Sequence, residues 1–190
     1  MTGRTVDQCI QWCNSVRYRR LVRQTSFATF HCSLSRSLEV MGDWWTPLIL
    51  RDLFLGVDTF DDLVAALGIS RNLLVQRLDT LVEAGVVRRE QYHDRPVRHR
   101  YALTESGEEL VPILAALTAW GDRWQTPEGG PPMRFRHGRH RCTPEVACST
   151  CGERVTAADL EVRPGPGGRE APGTMIVARR LAPGGAQSGD

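Results

Sequence analysis

Apolar residues recur with a regular period only between Cys32 and Gln125, and that stretch reads as one folded domain. Leu34, Leu38 and Met41 fall at i, i+4 and i+7, predicting a first helix from about Cys32 to Met41 that Gly42 stops. Thr46 and Pro47 read as an N-cap and first helical position for a second helix ending at Gly56. That helix is apolar around most of its circumference (Leu48, Ile49, Leu50, Leu53, Phe54, Leu55), so it should be buried. A short helix follows from about Phe60 to Leu67, with Phe60, Leu63, Val64 and Leu67 inward. Gly68 ends it, and Ser70 caps another helix from about Arg71 to Ala84. Short helix, glycine turn and capped helix together make helix-turn-helix spacing.

After Gly85 the period changes from helix to strand. Val86–Tyr92 and Arg98–Leu103 flank a turn at His93-Asp94-Arg95-Pro96, which reads as a basic β-hairpin, or wing. Thr104 then caps a long helix to about Trp124, whose Leu110, Ile113, Leu114, Leu117, Trp120 and Trp124 form one broad apolar stripe. The fold class expected is mainly α with a small β-hairpin (α+β), a winged helix-turn-helix closed by a C-terminal helix. A core already exists before that helix, so its stripe needs a cover, and a second copy of the chain is the economical one. Packing back on its own domain is the alternative.

Outside the domain the pattern fades. Residues 1–31 show no period and read as a flexible basic leader; residues 126–133 are a turn-rich linker. Residues 134–162 hold a Cys/His-containing extension, and the Pro/Gly-rich residues 163–190 read as a disordered tail. No apolar run approaches the roughly 18 residues that a membrane span needs, and no secretory signal is evident, so the expected location is cytoplasmic.

Charge sharpens the picture. The net charge of +2 says little, but residues 70–104 hold seven Arg against four acids inside an otherwise acidic domain. A basic island there suits a surface for double-stranded DNA. On the helix after Ser70, Leu74, Leu78, Leu81 and Val82 form the core stripe. Arg71, Asn72, Val75 and Gln76 crowd the leading end of the opposite face. Arg can fork to guanine, Asn and Gln can fork to adenine, and Val can meet a thymine methyl, so these four are the candidate base contacts. Arg77, Thr80, Arg95 and Arg98 are the candidate backbone contacts. No nucleophile–base pair, phosphate-binding glycine loop or paired carboxylate stands out, so the chain does not read as an enzyme. A protein-interaction adaptor with a winged-helix fold and a Cys-rich docking tail is the alternative to a DNA-binding regulator.

Six cysteines lie at 9, 13, 32, 142, 148 and 151. Without a secretion signal they point to thiols, metal ligands or a redox switch rather than structural disulfides. Cys148-Ser149-Thr150-Cys151-Gly152 has the form of a zinc knuckle, and Cys142 with either His140 or His137 is the candidate second pair. A flexible reduced or redox-active tail is the other reading.

The series Cys32-Ser33-Leu34-Ser35-Arg36-Ser37-Leu38, Met41-Gly42-Asp43-Trp44-Trp45-Thr46-Pro47, Gly68-Ile69-Ser70-Arg71, Tyr101-Ala102-Leu103-Thr104 and Trp120-Gly121-Asp122-Arg123-Trp124 resembles the HxlR-type group of bacterial winged-helix regulators over about half of the chain. The resemblance implies a homodimer on pseudo-palindromic operator DNA. It also implies two readings of Cys32, a sensor of oxidants or electrophiles or an inert thiol. A thiol at a helix N-terminus near Arg36 gains thiolate character, which suits the sensor.

Overall fold

The computed structural model describes residues 26–182, so Cys9, Cys13 and most of the expected leader lie outside the described residues, as do residues 183–190. The chain runs α1 (Ser33–Met41), α2 (Thr46–Phe54), α3 (Phe60–Leu67), α4 (Arg71–Glu83), β1 (Val87–Asp94), β2 (Val97–Leu103), α5 (Glu105–Glu108) and α6 (Leu110–Trp124). A second hairpin, β3 (Phe135–His137) with β4 (His140–Cys142), follows, and then α7 (Met175–Leu181).

The core gathers around α2, where Ile49 and Leu50 are fully buried. Leu63 from α3 and Leu74, Leu78 and Leu81 from α4 pack with them, each at most 1% exposed. Truncating any one of these to Ala would cost about 2–5 kcal/mol. α2 also touches β2 and α6. Its start differs from the sequence expectation. Thr46 is inside the helix and buried, and Asp43 does the capping, its Oδ1 accepting from the Trp45 and Thr46 amides at 2.7 and 3.2 Å. The Thr46 hydroxyl donates to Asp43 Oδ2 at 2.5 Å. Two orphan N–H groups of the first turn thus find one carboxylate.

Gly68 takes φ 64°, the left-handed conformation that lets α3 stop and α4 start with only three residues between them. Ser70 Oγ then accepts from the Leu73 amide at 3.4 Å. The wing is antiparallel, Val87 opposite Leu103 at its base and Asp94 opposite Val97 at its tip, with a bulge between Gln91 and His93. Thr59 forms an isolated bridge to Arg100, and the Tyr101 amide donates to the Asp58 carbonyl at 2.8 Å, so the chain ahead of α3 is tied to β2. Gly107 seats α5 on the base of the wing. A Cβ there would lie 2.2 Å from the Val86 carbonyl oxygen, so the backbones could not approach as they do.

Described residues on both flanks make contacts with α1 or the residues just ahead of it. The end of the expected leader is tied down, because Glu39 accepts from the Ser26 hydroxyl and the Phe27 amide, both at 2.6 Å. The segment from Arg163 is described as far as residue 182 and carries α7. Its Pro/Gly bends return the chain to the start of α1. The His31 amide donates to the Pro172 carbonyl at 2.9 Å, and the His31 ring lies 2.6 Å from the Gly167 carbonyl oxygen.

Candidate nucleic-acid interface

α4 buries Leu74, Leu78 and Leu81 and turns its leading end outward, leaving Arg71, Asn72, Val75, Gln76 and Thr80 exposed. Asn72, Val75 and Gln76 are spaced i, i+3 and i+4 and so share one face. Arg71 is oriented rather than loose. It pairs with Asp61 at 2.8 Å, and its guanidinium lies 4.8 Å from the centre of the Phe60 ring. Thr80 donates its hydroxyl to the Gln76 carbonyl at 2.9 Å, which leaves the oxygen lone pairs outward. Arg77 departs from the expectation of a backbone contact. It is turned inward against Asp43, 3.3 Å away, with 23% of its side chain exposed. The α4 period explains this, since position 77 adjoins the core stripe at 74, 78 and 81.

The wing sorts its arginines. Arg88 is held by Glu90 and the Leu103 carbonyl, Arg89 lies 3.8 Å from Asp79, and Arg100 lies 3.7 Å from Asp58 beside the Tyr92 ring. Arg95 and Arg98, at the tip, are exposed and have no acidic partner among the described residues. Between α3, α4 and the wing runs a groove of about 570 Å³, lined by Phe60, Asp61 and Asp62 at the start of α3, Arg71 and Val75 of α4, and Tyr92, Val97 and Arg98 of the wing. Sequence reasoning missed Val97 and Tyr92 as groove residues. Their alternation in the hairpin carries that signal only once the bulge sets which face they take.

α6 splits the stripe that the sequence presents as one. Leu110 and Leu114 pack against the domain's own core, whereas Ile113, Leu117, Trp120 and Trp124 are 55–61% exposed. Leu34 and Leu38 of α1 and Trp44 are exposed as well.

Two cysteines have altered acidity. The Cys32 thiol is held below its usual range by hydrogen bonds from the Ser35 amide and hydroxyl, outweighing a smaller opposing effect of burial. Arg36, expected to help, points its Nε–H to the Phe30 carbonyl at 3.3 Å. The Cys148 thiol is lowered to about 7, chiefly by the Cys151 amide, then by the Thr150 amide and the Cys151 side chain. The turn around it is closed by Gly152 donating to the Cys148 carbonyl at 2.8 Å. Among the described residues no three His, Cys, Asp or Glu side chains converge, and Cys142, Cys148, Cys151 and His140 stay apart as a set. His140 is taken up in an edge-on contact with His137 in the β3–β4 hairpin. No helix among the described residues is long and apolar enough to cross a membrane.

The profile of the HxlR-like helix-turn-helix family matches residues 40–129. Rv3095 of Mycobacterium tuberculosis, an uncharacterised HTH-type transcriptional regulator, is 43% identical over 139 residues, spanning 71% of this chain and 87% of its own. YvaP of Bacillus subtilis, another HTH-type transcriptional regulator, is 34% identical over 93 residues, 48% of this chain and 86% of its own. Among solved structures, the transcription factor candidate PA1607 matches with a TM-score of 0.64 at 31% identity, covering 73% of this chain and 98% of its own. PA1374 of Pseudomonas aeruginosa matches at 0.51 and 35% identity, covering 71% and 93%. The fold, the glycine turn and these relatives agree: the chain belongs to the HxlR-like helix-turn-helix family and is a transcriptional regulator, not an enzyme.

Proposed function

We propose that this regulator binds pseudo-palindromic operator DNA as a homodimer. Arg71, Asn72, Val75 and Gln76 touch base edges in the major groove, and Thr80, Arg95 and Arg98 hold the sugar–phosphate backbone. The observation that carries this reading is the groove shared by α4 and the wing, with Arg71, Val75 and Arg98 all in its lining. An arginine without an acidic partner beside an exposed amide-bearing helix end suits a polyanion whose bases must also be read. Two-fold pairing through α6 would set the two α4 helices roughly 34 Å apart, one turn of DNA. Thiol chemistry at Cys32 is the proposed input, supported by the hydrogen bonds that stabilise its thiolate.

The test is selection of bound sequences from a randomised duplex pool by the wild-type chain and by Gln76→Ala. The wild type is expected to enrich inverted repeats with half-sites about 10 base pairs apart. Gln76→Ala should lose preference at one position per half-site, worth about 1–3 kcal/mol. Failure of the wild type to bind duplex DNA, or identical selected sequences from both proteins, contradicts the proposal.

A further inference from the structure

A cavity of about 930 Å³ lies between the start of α1 and the returning segment that ends in α7. It is separate from the α4–wing groove. Val162, Val177 and Leu181 give it apolar walls, and Arg36, Arg169 and Cys32 also line it. Both guanidinium groups are held at one edge. Arg36 reaches the Phe30 carbonyl at 3.3 Å, and Arg169 lies 3.4 Å from the ring of the next residue, His31.

Each of these contacts uses one of five guanidinium donors. Neither Arg has an acidic partner among the described residues. The one carboxylate in the lining, Glu170, is already engaged by Arg179 at 2.7 Å. The cavity therefore presents unmatched positive charge along one edge of an apolar volume. Its size falls in the range of about 300–1,000 Å³ that small-molecule sites occupy. Inorganic anions would leave the walls unused, and a neutral apolar molecule would leave both guanidinium groups unmatched.

We propose that this cavity is a binding site for an amphiphilic carboxylate, a single carboxylate on an apolar chain or ring. The carboxylate is taken by Arg36 and Arg169, and the apolar body lies against Val162, Val177 and Leu181. Bound this way, the ligand spans α1 and the α7 segment, which touch elsewhere through His31. It also shields the Cys32 sulfur from solvent.

The experiment uses the full chain and three probes: octanoate, 1-naphthoate and the uncharged 1-naphthalenemethanol. Binding is measured by titration calorimetry for the wild type and for an Arg36→Gln/Arg169→Gln double variant. Both arginines are exposed, so the variant should keep its circular dichroism spectrum. In parallel, iodoacetamide labelling of Cys32 is followed by peptide mapping. Saturable binding of either acid, weakened at least tenfold in the double variant, with Cys32 labelling slowed and Cys151 labelling unchanged, supports the site. A chain acid and a ring acid are distinguished by which of the two binds. Three outcomes overturn it: no saturable binding of either acid, equal binding by wild type and double variant, or Cys32 labelling that a bound acid leaves unchanged. Tighter binding of 1-naphthalenemethanol than of 1-naphthoate overturns it too.

Discussion

Arg77 on α4 and Asp43 in the turn before α2 lie 3.3 Å apart, with only 23% and 12% of their side chains exposed. The Arg77 Nε–H is buried and does not point at a carboxylate oxygen, so the contact is an ion pair rather than a hydrogen bond. Asp43 meanwhile accepts from the Trp45 and Thr46 amides and the Thr46 hydroxyl. One carboxylate thereby fastens the outward-facing helix to the buried one. Asp43→Ala should cost about 2–3 kcal/mol, since it removes a cap and strands a partly buried cation. Arg77→Ala should cost about 1–2 kcal/mol in chemical denaturation. In proteins compared at equal folded fraction, Arg77→Ala should leave the salt dependence of DNA binding unchanged. A lowered slope would return Arg77 to the set of phosphate contacts.

Arg95 and Arg98 should behave in the opposite way. Each Ala substitution at these exposed positions is expected to change thermal stability by less than about 0.5 kcal/mol. Each should reduce the slope of log K against log salt by about 1 if its guanidinium sits on a phosphate. The loss should be uniform across operator sequences. Sequence-dependent loss at Arg98 would move it from backbone to base contact.

The two faces of α6 separate folding from assembly. Leu117→Glu places a charge on the exposed face and should convert a dimer to a folded monomer in sedimentation analysis. Leu114→Ala, on the face packed against the core, should lower stability by about 1–2 kcal/mol while leaving the dimer in place. A wild-type chain that sediments as a monomer at micromolar concentration would remove the dimeric part of the proposed function.

The Cys148 thiol, lowered to about 7, predicts a labelling profile. Its reaction with iodoacetamide should rise through pH 7 and level off above pH 8, where an ordinary thiol near 8.5 is still gaining reactivity. Cys151→Ala removes the bond from its side chain but keeps its amide, the larger cause, so the midpoint should move upward only in part. A midpoint at the ordinary thiol value in the wild type would show that the amides do not reach the sulfur in solution.

Much of the domain was legible because its rules are local. Apolar spacing at 74, 78 and 81 sets the inward face of α4, and Gly68 and Ser70 mark the turn by conformational and capping chemistry that neighbours cannot alter. The exposed set Arg71, Asn72, Val75 and Gln76 follows by subtraction. The extension was not legible in this way. A C-x-x-C followed by Gly suits a metal knuckle, yet whether His140 and Cys142 join it depends on how two short hairpins lie in space. In the segment after Arg163, prolines and glycines build bends that bring the Gly167 carbonyl to the His31 ring, a long-range contact that composition does not contain.

The amino-acid sequence alone determined the element order of the winged domain, the helix-turn-helix and the outward end of α4, because periodicity, caps and turn residues act within a few positions of themselves. Only the tertiary structure decided that Arg77 turns in to Asp43, that Leu114 and Leu117 serve different faces, and that Arg36 and Arg169 meet at one cavity. Those outcomes depend on which distant groups are brought within a few ångströms of each other. Pair energies and burial are set by that distance, and spacing along the chain does not contain it.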